Sequence, residues 1–294
     1  MFSIIIPSFN NLKYLKKCIE SIKKNSHYDH EIIPHINEGS DGTANYLKDN
    51  NIRYTQTSYN AGICTGMNMA ANEARTKYIL YAHDDFYFCP KWDLVLKSEL
   101  DKINHNKFYL SGTMINNGQI DLKCGNSLET FDEEKLLNNI DDANFYDFQG
   151  STWAPHLIHK DMWDKVGGFS EEFFPGTGSD PDLNMKLWKE GVRIFKGIND
   201  FKVYHFGSIV TRKYKNHPTI KTESGSRGAK IFLLKWGISI NFFKKHIINS
   251  DTKYLGELSS PKKNFNYFFQ LIACKLNYIY IKHIYNNNNK HKLI

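Results

Sequence analysis

Short runs of β-branched and aliphatic residues alternate with stretches of helical period along the first two hundred positions. This is the pattern of a mainly parallel open sheet with crossover helices. Ser3 to Pro7 reads as a buried strand, and Leu12 to Lys24 follows with Leu15, Cys18 or Ile19, and Ile22 on one helical face. Glu31 to Asn37 predicts a second strand. The turn NEGSDGT (Asn37 to Thr43) then opens a short helix through Leu47. Arg53 to Thr57 predicts a third strand, Thr65 to Ala74 a helix and Tyr78 to Ala82 a fourth strand. From Phe108 the pattern weakens to one edge strand, Phe108 to Ile115, and a variable acidic loop around Asp132 to Asp142. A helix starts near Asp161, and another spans Asp180 to Glu190 with Leu183 and Leu187 inward. Val192 to Phe195 and Phe201 to Tyr204 predict two short closing strands.

Length and charge refine this picture. A chain of 294 residues holds one large α/β domain with an appendage. Cys18, Cys64, Cys89, Cys124 and Cys274 are odd in number, scattered and never in a C-x-x-C pair, which argues against a disulfide framework or zinc cluster and for a reducing compartment. No signal-peptide pattern and no long uncharged apolar run is read, so the expected location is cytoplasmic, peripheral to the inner face of a membrane if the C-terminal third meets lipid. The net charge of +7 is unevenly distributed: residues 1–200 carry net −7 and residues 201–294 net +14. The last third is therefore suited to an anionic contact or is a solvated basic surface.

Ligands of open α/β sheets bind beyond the carboxyl ends of the strands. Here those ends are Ser8 to Asn10, Asn37 to Asp41, Ser58 to Gly62 and His83 to Asp85, all polar. The first strand runs into IIIPSFN and not into G-x-G-x-x-G, which excludes a dinucleotide-binding fingerprint, and no Walker A sequence occurs. Asp84 and Asp85 repel each other unless a hard cation with phosphate ligands joins them, or they cap a helix and face solvent.

Set side by side, these segments resemble the family 2 glycosyltransferases. SIIIPSFNN resembles the family's opening strand and nucleotide loop, NEGSDGT its D-D-G-S-x-D-G-T turn, and NAGICTGMN its N-x-G-x-x-x-x-x-N segment. HDD stands where the family has D-x-D, WDKVGGFSEEFF resembles v-G-G-F-D-E-x-F-F, and GSDPDLNMKLWKEGVRI resembles G-E-D-x-D-L-x-x-R-x-x-x-x-G. The likeness runs in order from residue 3 to about residue 207. It implies a GT-A type α/β catalytic domain over residues 1–214 with a basic, aromatic, helical extension over residues 215–294.

The resemblance implies inverting transfer of a sugar from a nucleotide diphosphate donor to an acceptor hydroxyl of a glycan or glycolipid. Pro7, Ser8, Asn10, Asn37, Glu38, Asp41, Asn60, Gly62, Asn68, Asp84 and Gly168 would bind the donor. Asp85, with His205 as a further ligand, would hold Mn²⁺ or Mg²⁺ against the diphosphate. Asp180 would be the general base, with Asp182 as the alternative or a helix-capping partner, and Arg212 and Lys213 would close over the diphosphate. Gly167, Gly168 and Phe169 would shape the donor-sugar floor, although Phe169 is equally explained as core.

Three positions depart from the family pattern. Asn37 replaces the usual uracil-reading Asp, His83 the first D-x-D acid, and Ser179 the Glu of the E-D pair. They leave open a catalytically degenerate nucleotide-sugar-binding protein of the same fold. A nucleotidyltransferase is disfavoured because its G-x-G-T-R-L loop is absent. Beyond Lys215 the resemblance fades. Ala229 to His246 and Asn266 to Tyr285 have helical period, and Phe268, Ile272, Leu276 and Ile279 share one face of the second. Such a helix packs on its own domain, forms an oligomer, or lies in a membrane interface. No known nucleic-acid-binding module is recognisable.

Overall fold

The computed structural model describes residues 1–207, 210 and 224–288. Four strands pair in parallel in the order β3-β2-β1-β4: β1 (Ser3–Phe9), β2 (Glu31–Asn37), β3 (Thr55–Thr57) and β4 (Tyr78–Tyr81). Their crossovers are the helices α1 (Leu12–Asn25), α2 (Thr43–Asp49) and α3 (Gly62–Asn72). Ile4, Ile5 and Ile6 of β1 are all fully buried. Such a continuous apolar run marks a strand covered on both faces. On α1, Leu15, Cys18, Ile19 and Ile22 are buried, the face that their spacing predicts.

The other half of the sheet is built from β5 (Phe86–Phe88), β6 (Phe108–Ile115), β7 (Phe148–Gln149), β8 (His156–His159) and β9 (Ile194–His205). The order continues β4-β8-β6-β9-β5, with β7 pairing beside β9. β8 is antiparallel to both β4 and β6, β6 is parallel to β9, and β5 and β7 are antiparallel to β9. Helices α4 (Trp92–Lys102), α5 (Glu133–Asn139), α6 (Lys160–Val166) and α7 (Ser179–Lys189) lie between these strands in sequence.

The two expected closing strands are a single one. Residues 194–205 run through as β9, and the register against β6 shifts between Gly112 and Thr113. Hydrogen bonds hold the irregularity: Asn199 N donates to Asp147 Oδ1 at 2.9 Å, and Phe145 N donates to Asn199 Oδ1 at 2.8 Å. The polar Asn199 and Asp200 interrupt the apolar pattern without ending the strand. The acidic stretch expected as loop contains α5, whose start is capped by the Asp132 carboxylate accepting from Lys135 N at 2.9 Å.

The extension holds α8 (Ser224–Trp236), α9 (Ile240–Phe242, continuing as a wider turn through Ile247) and α10 (Phe265–Asn288). The run Ala229 to His246 is thus two helices, divided at Gly237, whose φ of +70° suits a residue without a side chain. Ser239 restarts the helix by accepting from Phe242 N at 3.1 Å. The expected domain boundary at 214/215, and Arg212 and Lys213, lie outside the described residues.

Candidate functional site

The chain leaves β1 toward β2 on one side and returns to β4 on the other, so the carboxyl ends of these strands diverge around a crevice. A cavity of about 220 Å³ sits there. Its floor is Pro7, Ser8, Asn37, His83, Asp84 and Asp85 from the strand ends, and Asn60, Gly62 and Ile63 from the start of α3. Pro175, Gly176 and Thr177, from the turn before α7, form a wall that meets the start of α3, where Ile63 N donates to the Pro175 carbonyl at 2.8 Å. Of the expected donor-binding residues, Pro7, Ser8, Asn37, Asn60, Gly62 and Asp84 therefore meet around one space.

The remaining expected contacts serve the frame in this structure. Asn10 Oδ1 accepts from Ser40 N at 2.9 Å. The Asp41 carboxylate accepts from Leu12 N at 2.8 Å and from the Thr43 hydroxyl at 2.6 Å, fixing the starts of α1 and α2. Glu38 N donates to Thr57 O at 3.0 Å, which locks the turn to β3. Asn68 clamps Phe169 from both sides, Nδ2 donating to its carbonyl at 2.8 Å and Oδ1 accepting from its N–H at 2.9 Å. Gly168 lies against that clamp; an added Cβ would come within 2.3 Å of Asn68 Oδ1. Phe169 is buried and packs edge-on to Tyr81, a core position.

The acidic turn between β4 and β5 carries the strongest electrostatics. Asp84 and Asp85 are 5% and 4% exposed. Burial, and then the adjacent Asp85 charge, push the Asp84 carboxyl well above the usual carboxylate range, while Ser8 and Asn11 pull the other way. Asp84 Oδ2, Ser8 Oγ and Asn11 Nδ2 are shielded from solvent and lie close together, yet no hydrogen bond of good geometry joins them or reaches them from the other described residues. Buried polar atoms in that state call for a ligand.

Pairing of β5 with β9 sets Phe86 opposite His205. That register brings His205 Nε2 to 3.6 Å from Asp85 Oδ2. His83 approaches from the other side, its ring stacked on Phe86 and its Nε2 2.9 Å from the Tyr81 hydroxyl. Burial lowers the His83 imidazole to about 4, so it is neutral at physiological pH. Ligand atoms of His83, Asp85 and His205 all lie within 4.8 Å of one another. Two imidazoles and a carboxylate fit a divalent transition metal.

Asp180 stands in the first turn of α7. Burial raises its carboxyl to about 7, and Oδ1 has no hydrogen-bond partner among the described residues. Its charge reaches Tyr81, whose hydroxyl contacts His83. Asp182, two residues on, is fully buried and engaged: it accepts from Ser170 Oγ at 2.6 Å and Trp236 Nε1 at 2.8 Å and pairs with Lys235 at 3.0 Å. These contacts occupy Asp182 and tie α8 to α7. Arg227 of α8 adds hydrogen bonds to the carbonyls of Glu172 and Phe174, the residues leading into the cavity wall. Neither the wall nor its support was read from the sequence, although the Pro-Gly-Thr-Gly turn directly before Asp180 was a signal for the wall.

Comparison with known proteins finds relatives among the glycosyltransferases. The chain is 27% identical over 276 residues to a hyaluronan synthase of Pasteurella multocida, covering 89% of this chain and 27% of that protein. It is 24% identical over 224 residues to a GalNAc(5)-diNAcBac-PP-undecaprenol beta-1,3-glucosyltransferase of Campylobacter jejuni, covering 73% and 68%. The chain spans only about a quarter of the hyaluronan synthase and of a chondroitin synthase, also of Pasteurella multocida, that it matches. Among solved structures, S. aureus TarS 1–349 superposes with a TM-score of 0.56 at 14% identity, over 95% of this chain and 71% of that one. TarS 1–349 in complex with UDP-GlcNAc gives 0.55 at 14% identity, over 95% and 81%. The sequence model of glycosyl transferase family 2 matches residues 3–153, half of the chain, and with the GT-A architecture around the crevice this protein belongs to that family.

Proposed function

We propose that this chain transfers a sugar, with inversion, from a nucleotide diphosphate donor to a hydroxyl of a glycan or glycolipid. The observation that carries the proposal is the gathering of His83, Asp85 and His205 beside a cavity floored by Ser8, Asn37 and Asp84. Of the two expected ions, the donor set of His83, Asp85 and His205 suits Mn²⁺ better than Mg²⁺; a divalent ion bound there would supply charge stabilisation to the departing diphosphate. Ser8 offers a hydroxyl in the cavity lining, and Asp84, with Asn11 beside it, adds a carboxylate for the donor's ribose or the ion's water shell. Asn37 Oδ1 accepts from Ala61 N at 2.9 Å, which leaves its amide N–H₂ to meet the base.

Asp180 takes the proton of the attacking hydroxyl. A base whose pKa lies near 7 combines a large ionised fraction at neutral pH with enough basicity to accept that proton. The hyaluronan synthase and the undecaprenol-linked glucosyltransferase among its relatives support a growing polysaccharide or a lipid-linked oligosaccharide as acceptor.

A second reading, a protein that binds nucleotide sugar without turnover, draws on Ser179. Its hydroxyl donates to the Gly176 carbonyl at 2.6 Å where the family has a carboxylate. The deciding experiment is thermal-shift titration with UDP, GDP, dTDP and CDP, each with Mn²⁺ and with EDTA, followed by donor turnover. Metal-dependent stabilisation by one nucleotide with sugar transfer supports the enzyme. Stabilisation without transfer supports the binder, and no response to any nucleotide rejects both.

A further inference from the structure

Helix α10 is held by one face and presents the other. Tyr267, Leu271, Tyr278 and Ile281 pack against the core, Cys274 is buried, and the Tyr267 ring lies 5.0 Å from Phe242. At about 100° per residue, Phe265, Phe268, Phe269, Ile272, Leu276 and Ile279 fall on the opposite side within an arc of roughly 100°. Tyr280 stands at its edge. These side chains are between 49% and 85% exposed. A contiguous apolar stripe of this size on a surface helix marks an interaction site.

The surrounding charge decides what covers it. Lys275 and Lys282 flank one side of the stripe, both exposed, and Lys262 and Lys263 precede the helix. No Asp or Glu follows Glu257 in the whole sequence. A second copy laid on this face, helix against helix, would bring like charges together with no acid on α10 to offset them. An anionic lipid surface complements both the apolar stripe and its lysine flank. No described helix is long and apolar enough to cross a membrane, so a helix of this composition lies in the plane of the interface.

We propose that the outer face of α10 docks on an anionic lipid bilayer, with Phe265, Phe268, Phe269, Ile272, Leu276 and Ile279 among the acyl chains and Lys275 and Lys282 at the headgroups. This docking goes beyond the transfer reading and does not depend on it.

The test is flotation of the full chain with phosphatidylcholine vesicles, with and without phosphatidylglycerol. Binding is expected to the anionic vesicles and to weaken as salt is added. Ile272→Glu with Leu276→Glu should abolish it while leaving the melting temperature and nucleotide response unchanged, because both side chains are exposed. Lys275→Gln and Lys282→Gln should each weaken it about fivefold. No flotation, equal binding to neutral vesicles, or binding that survives the double Glu substitution would overturn the proposal. A dimer in analytical ultracentrifugation that the double Glu substitution dissolves would also overturn it, in favour of a second copy as occupant.

Discussion

The two sides of the cavity are built differently. The floor consists of the ends of neighbouring parallel strands and the start of α3, and its chemistry is local: His83, Asp84 and Asp85 are consecutive, and Ser8 and Asn37 close adjacent strands. The wall from Pro175 to Thr177, with Asp180 just beyond it, touches the floor where Ile63 N donates to the Pro175 carbonyl and is otherwise positioned from outside. Arg227, Lys235 and Trp236 of the C-terminal extension grip it through backbone carbonyls and the buried Asp182. The floor can therefore lose a ligand without losing its shape, whereas the wall depends on contacts that cross more than fifty residues of sequence.

That contrast can be broken at several points. The largest effect is expected from Asp180→Asn, which removes the proposed base while keeping the volume: turnover should fall by about 10² to 10⁴ with nucleotide affinity intact. In the unaltered enzyme kcat/KM should decline below about pH 7, where Asp180 takes up its proton. Full activity in the variant would remove Asp180 from the mechanism. Next comes Asp85→Ala. Metal-dependent stabilisation by nucleotide should vanish in calorimetry, and turnover should drop by about 10² to 10³.

Lys235→Met tests the wall. Asp182 keeps Ser170 and Trp236 but loses its counter-charge, which should cost about 1–3 kcal/mol in denaturant unfolding and reduce turnover while leaving Mn²⁺ binding unchanged. Unchanged turnover would show that the extension does not position the wall.

The smallest effect belongs to a surface far from the cavity wall. Burial pushes the Glu133 carboxyl up, but its contacts with Lys17, Lys24 and the Tyr87 hydroxyl together outweigh that and hold it near 2. Being lowered, that carboxyl stabilises the fold above its ordinary value of about 4.5, and the stabilisation is lost as pH falls through about 2. Glu133→Gln should cost about 1 kcal/mol or less at pH 7, nothing at pH 2, and leave nucleotide binding alone.

Legibility in the sequence follows the same division. The strands β1, β2 and β4 and the helices α1 and α7 were readable because each carries its own periodicity. Strands β5 and β8 were not: three and four residues long, they become strands only by pairing with β9 and with β4 and β6. Asn68 and Asp41 read as donor contacts from their place in the family's pattern, while their hydrogen bonds here go to Phe169, and to Leu12 and Thr43. A segment pattern reports that a side chain matters without saying whether it faces ligand or backbone. His83 stood out as a departure from D-x-D that weakens a metal site or lends it an imidazole, and the register of β5 on β9 is what brings His205 to the same place.

By itself the sequence determined the parallel half of the sheet, the acidic turn at its edge and the family, because these rest on local periodicity and on residues close together in the chain. Only the tertiary structure decided that His205 meets Asp85, that Asp182 is bound to Lys235 and Trp236 while one Asp180 carboxylate oxygen finds no hydrogen-bond partner among the described residues, and that α10 turns one apolar face inward and the other out. Each of these depends on which surfaces meet across long separations, and burial, which sets both the charge state of Asp180 and the exposure of the α10 stripe, exists only once they have met.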